Sequence, residues 1–318
     1  MEEQLITGIH HITAIAGHVQ GNIDFYAGIL GLRLVKKTVN FDAPEVYHFY
    51  YGDENGNPGS ILTFFPYDGL TKGRHGKGML NTTTFSVAAT SQNYWLERLK
   101  KYDVSYKTPE GRFQEETVIY FEDKDGLGLE LVFNDKDIRQ GFSQGPVPAE
   151  HAIRGFYSAE IWEEGYERTA GLLTEQLGHK LIAEKGNRFR FAVSDAPGNY
   201  VDIICTPDKL KGLAGSGMVH HIAFATPDAQ SQLAVREKIV KRMLNPTPVI
   251  DRDYFTSVYF REPGGVLFEI ATKGPGFAID EEVAHLGEAL KLPKQFEPYR
   301  KELEQVLTPV THHDDAFK

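Results

Sequence analysis

The chain has 318 residues, of which 41% are hydrophobic and 25% are charged, as in folded globular proteins and unlike disordered ones. This length suits two domains of about 150 residues each. The formal net charge of -10 disfavours nucleic acids and anionic membrane surfaces as partners, so we expect a small molecule as the ligand.

The N-terminal residues and the cysteine content predict the compartment. Cys205 is the single cysteine, so no intrachain disulfide can form, and residues 1–7 lack a basic stretch followed by an apolar run. No segment approaches the roughly 18 uninterrupted apolar residues of a membrane-spanning helix. We therefore expect a cytoplasmic protein without a membrane partner. The sequence leaves open whether the chain forms a homo-oligomer.

The first predicted structural unit spans residues 9–65. A short strand begins at Ile9, and an amphipathic helix follows over residues 22–31, where Gly31 ends it. Three further strands are predicted at residues 32–38, 47–51 and 60–65, separated by turn residues. The unit is therefore β-α-β-β-β.

Similar units begin at Leu80, Phe156 and Val219, at intervals of about 60 to 80 residues. Residues 134–151 lie between the second and third units and contain Pro146 and Pro148, as a linker would. We predict domains at residues 1–140 and 150–275, with two units in each. Residues 276–318 then form a C-terminal helix, carrying the leucines at 286, 290 and 292, and a tail.

Four β-α-β-β-β units in one acidic chain resemble the glyoxalase/bleomycin resistance/extradiol dioxygenase superfamily, and the resemblance covers nearly the whole chain. It implies an α+β fold in which paired units curl into open barrels around a metal. The implied ligand positions lie on the first and last strand of each unit. The first-strand positions are His11, Thr82, Ser158 and His221. The last-strand positions, counted from the preceding turn, are Phe64, Glu130, Ile203 and Glu269.

Three of these positions, His11, His221 and Glu269, supply two imidazoles and one carboxylate. That set leaves open positions on Fe(II), with Mn(II) as the alternative metal. A single histidine on a half-buried strand is more often a structural residue. Here, however, all three residues fall in ligand positions at once. We interpret Glu130, which has no imidazole in a neighbouring position, as structural, and His48 as a cross-strand packing residue.

Three longer motifs narrow the resemblance: Ile9-His-His-Ile-Thr, Val219-His-His-Ile-Ala-Phe, and the segment from Arg252 to Glu269. They are similar to motifs of hydroquinone-specific ring-cleaving dioxygenases. The resemblance implies that iron is bound by His11, His221 and Glu269, and that substrate and O2 are surrounded by His10, Thr13, His220, Arg252 and Tyr259.

The direction of two of these side chains is open. On a regular strand Thr13 shares the inward face of His11, whereas His10 and His220 should point the other way. Either the strands are irregular there, or these two histidines orient the ligands from behind through their ring nitrogens.

The expected function is an Fe(II)-dependent extradiol-type dioxygenase that cleaves a substituted hydroquinone with O2. Two alternatives on the same fold stay open. One is a metal-dependent lyase or isomerase of the glyoxalase type, which would consume no O2. The other is a metal-free protein that binds a small molecule, and metal analysis would identify it.

The ligand positions also predict how the units pair. Pairing in sequence order, the usual arrangement, would separate His11 from His221 and Glu269. Pairing the first unit with the fourth, and the second with the third, brings all three to one site, with Phe64 in the fourth position. We predict this second arrangement, because three ligands must lie about 2 Å from one ion.

Overall fold

The first and last units share one eight-stranded sheet in the computed structural model, which describes residues 4–113, 116–194, 196, 198–312 and 314–318. In spatial order its strands are β14 (Ile250–Asp251), β15 (Phe255–Arg261), β16 (Leu267–Pro275), β13 (Met218–Thr226), β1 (Gly8–Ala16), β4 (Ile61–Pro66), β3 (Ala43–Gly52) and β2 (Arg33–Asn40). The pairing of units one and four is confirmed.

The second and third units form a second eight-stranded sheet of the same design. Its strands are β10 (Lys180–Lys185), β11 (Arg188–Ala192), β12 (Tyr200–Cys205), β9 (Phe156–Glu163), β5 (Met79–Val87), β8 (Gly128–Phe133), β7 (Glu116–Glu122) and β6 (Glu110–Arg112). The two sheets confirm the α+β fold with four paired units.

The helices pack against the sheets, one in each unit and one near the C-terminus. They are α1 (Val19–Ile23), which continues as a π-helix over Asp24–Ile29, α2 (Gln92–Lys101), α3 (Glu167–Glu175), α4 (Ala229–Lys241) and α5 (Arg300–Val306). Single 3-10 turns lie at Ala89–Ser91, Ala149–His151, Phe277–Ile279, Val283–His285, Glu297–Tyr299 and Asp314–Phe317. Among the described helices, none has the length and apolar composition needed to cross a bilayer.

Gly31 ends the first helical segment, as predicted. Its φ of 68° lies in the left-handed region, and a side chain there would collide with Val147. Only glycine meets both conditions without strain.

Two connecting segments pass between the sheets, so units that are adjacent in sequence do not pair in the first sheet. The chain leaves the first sheet after β4 and returns to it after β12. The two connecting segments run beside each other, with bridges between Lys72 and Ser216, Arg74 and Leu213, and Lys77 and Lys211. Each sheet therefore takes one unit from each half of the sequence, and the division into residues 1–140, 150–275 and 276–318 stays a prediction.

The C-terminal segment covers the outer edge of the first sheet. Leu290 bridges Lys37 on β2, and the buried Nζ of Lys36 lies 2.6 Å from Oδ1 of Asp280. Such cover protects an edge strand from pairing with other chains. Helix α5 begins at Arg300, so the leucines at 286, 290 and 292 precede it and lie outside a regular helix. The predicted helix is displaced because its leucines pack onto β2 as irregular chain.

Candidate metal centre and substrate cavity

Strands β1 and β13 run side by side in opposite directions, and each contains one extra residue. The register shifts at His10 on β1 and at His220 on β13. An extra residue bends the strand and turns its side chain out of the regular alternation. The strands are therefore irregular at His10 and His220, and His10 also contacts His11 through a ring nitrogen, so both alternatives apply to His10.

The same irregularity recurs between β5 and β9 of the second sheet. There the register shifts at Asn81 and Tyr157. The bulge is thus a property of the repeated unit, and the histidines of the first sheet occupy a position that the fold provides four times.

The three predicted metal ligands meet at the centre of the first sheet, and all three are buried. Nε2 of His11 lies 3.2 Å from Nε2 of His221 and 3.2 Å from Oε2 of Glu269. Nε2 of His221 lies 3.0 Å from the same carboxylate oxygen. Each residue thus directs one potential ligand atom at a common point.

The hydrogen bonds of His10 define which nitrogen of His11 is free. Nε2 of His10 lies 3.1 Å from the carbonyl oxygen of Thr272, which can only accept, so this nitrogen carries a proton. Burial, and then His11, lower the pKa of His10 to about 3, so its ring is neutral. Nδ1 of His10 therefore accepts a hydrogen bond from Nδ1 of His11, 2.9 Å away. In the neutral form of His11, Nε2 therefore has the lone pair.

Glu269 is ionised and held in place. Burial alone would raise the pKa of its carboxyl, but the positive charge and N–H groups that His11 and His221 carry when protonated outweigh burial and hold this pKa well below its usual value. The hydroxyl of Ser257, on the adjacent strand, donates a 2.5 Å hydrogen bond to Oε1. Oε2 is left to face the two imidazoles, without a hydrogen bond of good geometry.

These distances fit a divalent metal ion. A proton or a metal ion must lie between these atoms, because the lone pairs of neutral imidazoles and a carboxylate repel one another at about 3 Å; a metal ion takes the place of the protons when it binds. Three ligand atoms about 2.1 Å from one ion, at right angles to each other, are themselves about 3 Å apart. The separations of 3.0 to 3.2 Å match this arrangement.

A cavity of about 650 Å³ opens beside the three residues. Its polar walls include His220, Arg252 and Tyr259, three of the five residues predicted around the substrate. Apolar walls are formed by Ile15, Phe41, Phe65, Ile250, Phe255 and Leu267.

Arg252 and Tyr259 act as one unit in the cavity wall. Nε of Arg252 donates to the hydroxyl of Tyr259 at 3.3 Å, and Nη2 lies 3.6 Å from Oδ2 of Asp42. The Arg252 guanidinium also lies 5.4 Å from the ring centre of Phe41. The turn between β2 and β3 is thereby fixed beside the cavity.

The other two predicted residues lie behind the cavity wall. His10 and Thr13 are buried and are not among the residues that line this cavity in the described part of the chain. His10 contacts His11, and the Thr13 hydroxyl accepts a 2.9 Å hydrogen bond from Thr63. Both reach the centre only through other side chains.

Three further residues belong to the site: Tyr50 and Ser257 were not named from the sequence, and His48 was interpreted as a cross-strand packing residue. His48 and Tyr50 line the cavity, and Nε2 of His48 lies 2.8 Å from the hydroxyl of Thr63. His48 also packs on Tyr50, with ring centres 4.0 Å apart. Burial, and then the nearby histidines, lower its pKa well below the usual value. The third residue is Ser257. His48 and Tyr50 are two residues apart on β3, so their side chains point to the same face of the strand. That spacing is the sequence signal that could have identified them as a pair.

Two of the predicted last-strand positions are wrong by one residue. Glu269 is opposite Ala223, two residues after His221, and Thr63 is opposite Thr13, two residues after His11. Thr63, not Phe64, therefore occupies the fourth position, and Phe64 packs against Tyr26 with ring centres 4.3 Å apart.

The same comparison replaces Ile203 by Asp202, which is opposite Glu160, two residues after Ser158. The error arises because the turn before β16, Pro263-Gly264-Gly265, has one residue more than the turn before β4.

In the second sheet the equivalent positions are filled by ion pairs. Arg112 contacts Glu130, and Arg190 donates to Asp202 from Nε at 2.7 Å and from Nη2 at 2.8 Å. Arg188 donates to Asp202 at 2.7 Å and contacts Glu160. Guanidinium groups thus supply the positive charge there, and Glu130 is structural, as interpreted from the sequence.

Comparisons with known proteins agree with this geometry. A family model described as the glyoxalase/bleomycin resistance protein/dioxygenase superfamily matches residues 8–131 and 158–270. A Bacillus subtilis protein assigned as the ring-cleaving dioxygenase MhqO is 45% identical over 302 residues, which cover 95% of this chain and 96% of that protein. Chlorohydroquinone/hydroquinone 1,2-dioxygenase of Sphingobium indicum is 33% identical over 308 residues, covering 94% and 95%.

Solved structures also share this fold. A crystal structure of a protein assigned as a dioxygenase from Bacillus subtilis has a TM-score of 0.93 at 43% identity, covering 98% of this chain and 100% of that one. Glyoxalase I from Zea mays has a TM-score of 0.62 at 15% identity, covering 84% and 92%. The likeness to glyoxalase I concerns the fold alone.

Proposed function

The chain belongs to the glyoxalase/bleomycin resistance protein/dioxygenase superfamily, and we propose that it is an Fe(II)-dependent dioxygenase that cleaves the ring of substituted hydroquinones with O2. The enzyme class and the hydroquinone substrate are supported by the names of its relatives. Mn(II) is the alternative metal, and the cytoplasmic location stays a prediction.

One observation carries the proposal: three acceptor atoms, from His11, His221 and Glu269, converge at separations of 3.0 to 3.2 Å. Two imidazoles and one carboxylate on one side of an ion leave the opposite side for other ligands. Fe(II) bound there would supply a centre at which a phenolate and O2 react side by side.

The walls of the cavity supply the rest of the specificity. A hydroquinone offers the centre one hydroxyl, since its second hydroxyl is para, so its ring must be oriented by other contacts. We assign this task to Arg252 and Tyr259, which lie in the wall and are bonded to each other. The apolar residues Phe65 and Leu267 bound the ring and exclude water.

His220 and His10 take different roles in this proposal. Nδ1 of His220 lies 2.7 Å from Nδ1 of His221, and His220 also lines the cavity. When Nε2 of His221 binds the metal, Nδ1 of His221 carries the proton and donates to Nδ1 of His220. Nε2 of His220 then carries the proton of that ring and can donate it to an oxygen of the substrate. Both ring nitrogens of His10 are already engaged, so His10 positions His11 and does not contact the substrate.

The two alternatives fit the site less well. A glyoxalase-type isomerase commonly uses a second carboxylate, whereas the fourth position here holds the hydroxyl of Thr63, which is bonded to Thr13 and His48. A metal-free binding protein has no need for two imidazole nitrogens and a carboxylate oxygen buried against one another, since burial of such polar groups is unfavourable.

Metal analysis and oxygen uptake test the proposal. After anaerobic reconstitution with Fe(II), we expect one iron per chain and one O2 consumed for each chloro- or methylhydroquinone. Catechol should react more slowly. Iron binding without O2 uptake would favour the isomerase, absence of metal the binding protein, and faster turnover of catechol a different aromatic substrate.

Arg252→Ala tests how the ring is oriented. We expect it to lower turnover of hydroquinone more than iron binding, because Arg252 lies in the wall and its hydrogen bond and ion pair are with Tyr259 and Asp42. Arg261→Ala is the matched control, since Arg261 lies on the same stretch of chain but is exposed and bonded to Gly265. Equal effects of the two substitutions would contradict the role of Arg252.

A further inference from the structure

Gln232 lies on α4, on the side of the first sheet that faces away from the cavity, and its side chain is 1% exposed. Its amide nitrogen donates to the carbonyl oxygens of Thr256 at 2.7 Å and of Ile270 at 2.8 Å. Its amide oxygen accepts from the hydroxyl of Thr256 at 2.9 Å. Because carbonyl oxygens only accept, these bonds fix the orientation of the amide.

These bonds fall where the pairing between β15 and β16 is interrupted. Phe255 is opposite Pro275, but Ser257 is opposite Ala271, so two residues on one strand span four on the other. Carbonyl groups at such an irregularity lose their regular partner, and a buried carbonyl needs a donor. The amide of Gln232 supplies that donor to both strands.

The clamped residues are direct neighbours of the metal centre. Thr256 precedes Ser257, whose hydroxyl donates to Oε1 of Glu269. Ile270 follows Glu269 in the chain. Gln232 thus holds the backbone on both sides of the hydrogen bond that orients the carboxylate.

A second path leads from Gln232 to His11. The backbone nitrogen of Thr256 donates to the hydroxyl of Thr272 at 2.9 Å. The carbonyl oxygen of Thr272 accepts from His10, which in turn fixes the free nitrogen of His11. The same amide therefore supports the carboxylate and one imidazole from behind the sheet.

We propose that Gln232 is a positioning residue of the metal centre, which sets the direction of Glu269 and His11 without contacting metal or substrate. The inference rests on the proposed function, because it requires the three residues to hold a metal. Partners of metal ligands beyond the direct contacts commonly change metal affinity or activity by about 10- to 100-fold when they are removed.

The test compares Gln232→Met with Gln230→Met in the full-length protein, with Co(II) as the spectroscopic probe. Methionine has a similar size but makes none of the three hydrogen bonds, and Gln230 is an exposed residue of the same helix. We expect Gln232→Met to raise the dissociation constant for Co(II) by about tenfold or more. It should also shift the visible Co(II) bands, and lower kcat more than it changes KM. Gln230→Met should match the wild type.

Wild-type affinity and an unshifted Co(II) spectrum in a folded Gln232→Met variant would overturn the inference. Wild-type protein that binds no Co(II) would instead overturn the proposed function, and this inference with it. If Gln232→Met does not fold, Thr256→Val and Thr256→Ser decide. Loss of affinity in the valine variant and its retention in the serine variant support the inference, and wild-type affinity in both refutes it.

Discussion

Nδ1 of His10 lies 2.9 Å from Nδ1 of His11, although the two residues are adjacent on one strand. Adjacent side chains of a regular strand point to opposite faces. The contact exists because His10 is the extra residue of a bulge. The pair His220 and His221 repeats it at 2.7 Å on the neighbouring strand. Of the two outer histidines, His10 and His220, only His10 makes a second hydrogen bond in the described part of the chain, to the carbonyl oxygen of Thr272.

This difference predicts distinct effects of removing the two outer histidines. We expect His10→Ala to weaken metal binding by about 10- to 100-fold, because His11 loses the acceptor that fixes its ring. His220→Ala should act mainly on turnover, because His220 reaches the cavity. Metal titration and steady-state kinetics of both variants check this. A His220→Ala variant that loses metal as strongly as His10→Ala, at unchanged turnover per bound metal, would contradict the assignment.

Removing any of the three proposed ligands should remove the metal. In His11→Ala, His221→Ala and Glu269→Ala we expect the iron content to fall to background and turnover to disappear, because two remaining ligands hold Fe(II) weakly. His285→Ala is the matched control, since His285 is exposed, contacts Glu288 and is not among the residues that line the cavity in the described part of the chain. Full iron occupancy in any one of the three variants would exclude that residue from the ligand set.

The three proposed ligands could be predicted from the sequence because their positions could be counted from a repeat. His11, His221 and Glu269 stand in matching positions of units whose boundaries do not depend on them. It failed at Phe64 and Ile203 because a one-residue difference in turn length moves a side chain to the other face of a strand. The residues around the turn before β16 do not indicate that this turn is one residue longer than the turn before β4.

Two other features depend on tertiary contacts. The roles of Ser257, His48 and Gln232 follow from hydrogen bonds between elements that are distant in the chain. The bulges at His10 and His220 exist through pairing of β1 with β13, which lie more than 200 residues apart. Neither could be deduced from residues within a single unit.

Thr63 marks the position where a second carboxylate would complete a four-ligand site. We expect Thr63→Glu to tighten metal binding and to lower ring cleavage by about 100-fold or more, because an open position is filled and the substrate is displaced. Thr63→Val, which removes the hydroxyl without adding a ligand, should keep the metal affinity of the wild type. Metal titration and oxygen uptake measure both effects. A Thr63→Glu variant with normal turnover would show that this position does not face the ion.

Arg190 and Asp202 in the second sheet should matter for stability and not for catalysis. Arg190→Met leaves the buried carboxylate of Asp202 with Arg188 as its remaining guanidinium partner. We therefore expect a loss of about 1.5–3 kcal/mol in the free energy of unfolding, the range for hydrogen bonds to a charged group. Iron content and kcat should stay unchanged. Chemical denaturation and metal analysis test both statements. A change in iron stoichiometry would contradict the separation of the two sheets.

The effect of Arg190→Met should also depend on pH. Burial would raise the pKa of Asp202, but the hydrogen bonds and charge of Arg190 outweigh it and lower this pKa. A lowered carboxyl pKa stabilises the folded state above the unfolded value of about 3.9, and this stabilisation is lost as the pH falls through the folded-state pKa. The stability difference between wild type and variant should therefore shrink in acid.

The non-sequential pairing of units predicts how a divided chain behaves. A cut between Ser143 and Gln144, both exposed, gives one half with His11 and another with His221 and Glu269. Neither half contains a complete sheet, because β1 pairs with β13 and β5 pairs with β9 across the cut. We expect each half alone to bind no iron tightly, and the two halves expressed together to assemble and to bind one iron per pair. Co-purification with metal analysis measures this, and tight iron binding by residues 144–318 alone would show that His11 is not needed for the site.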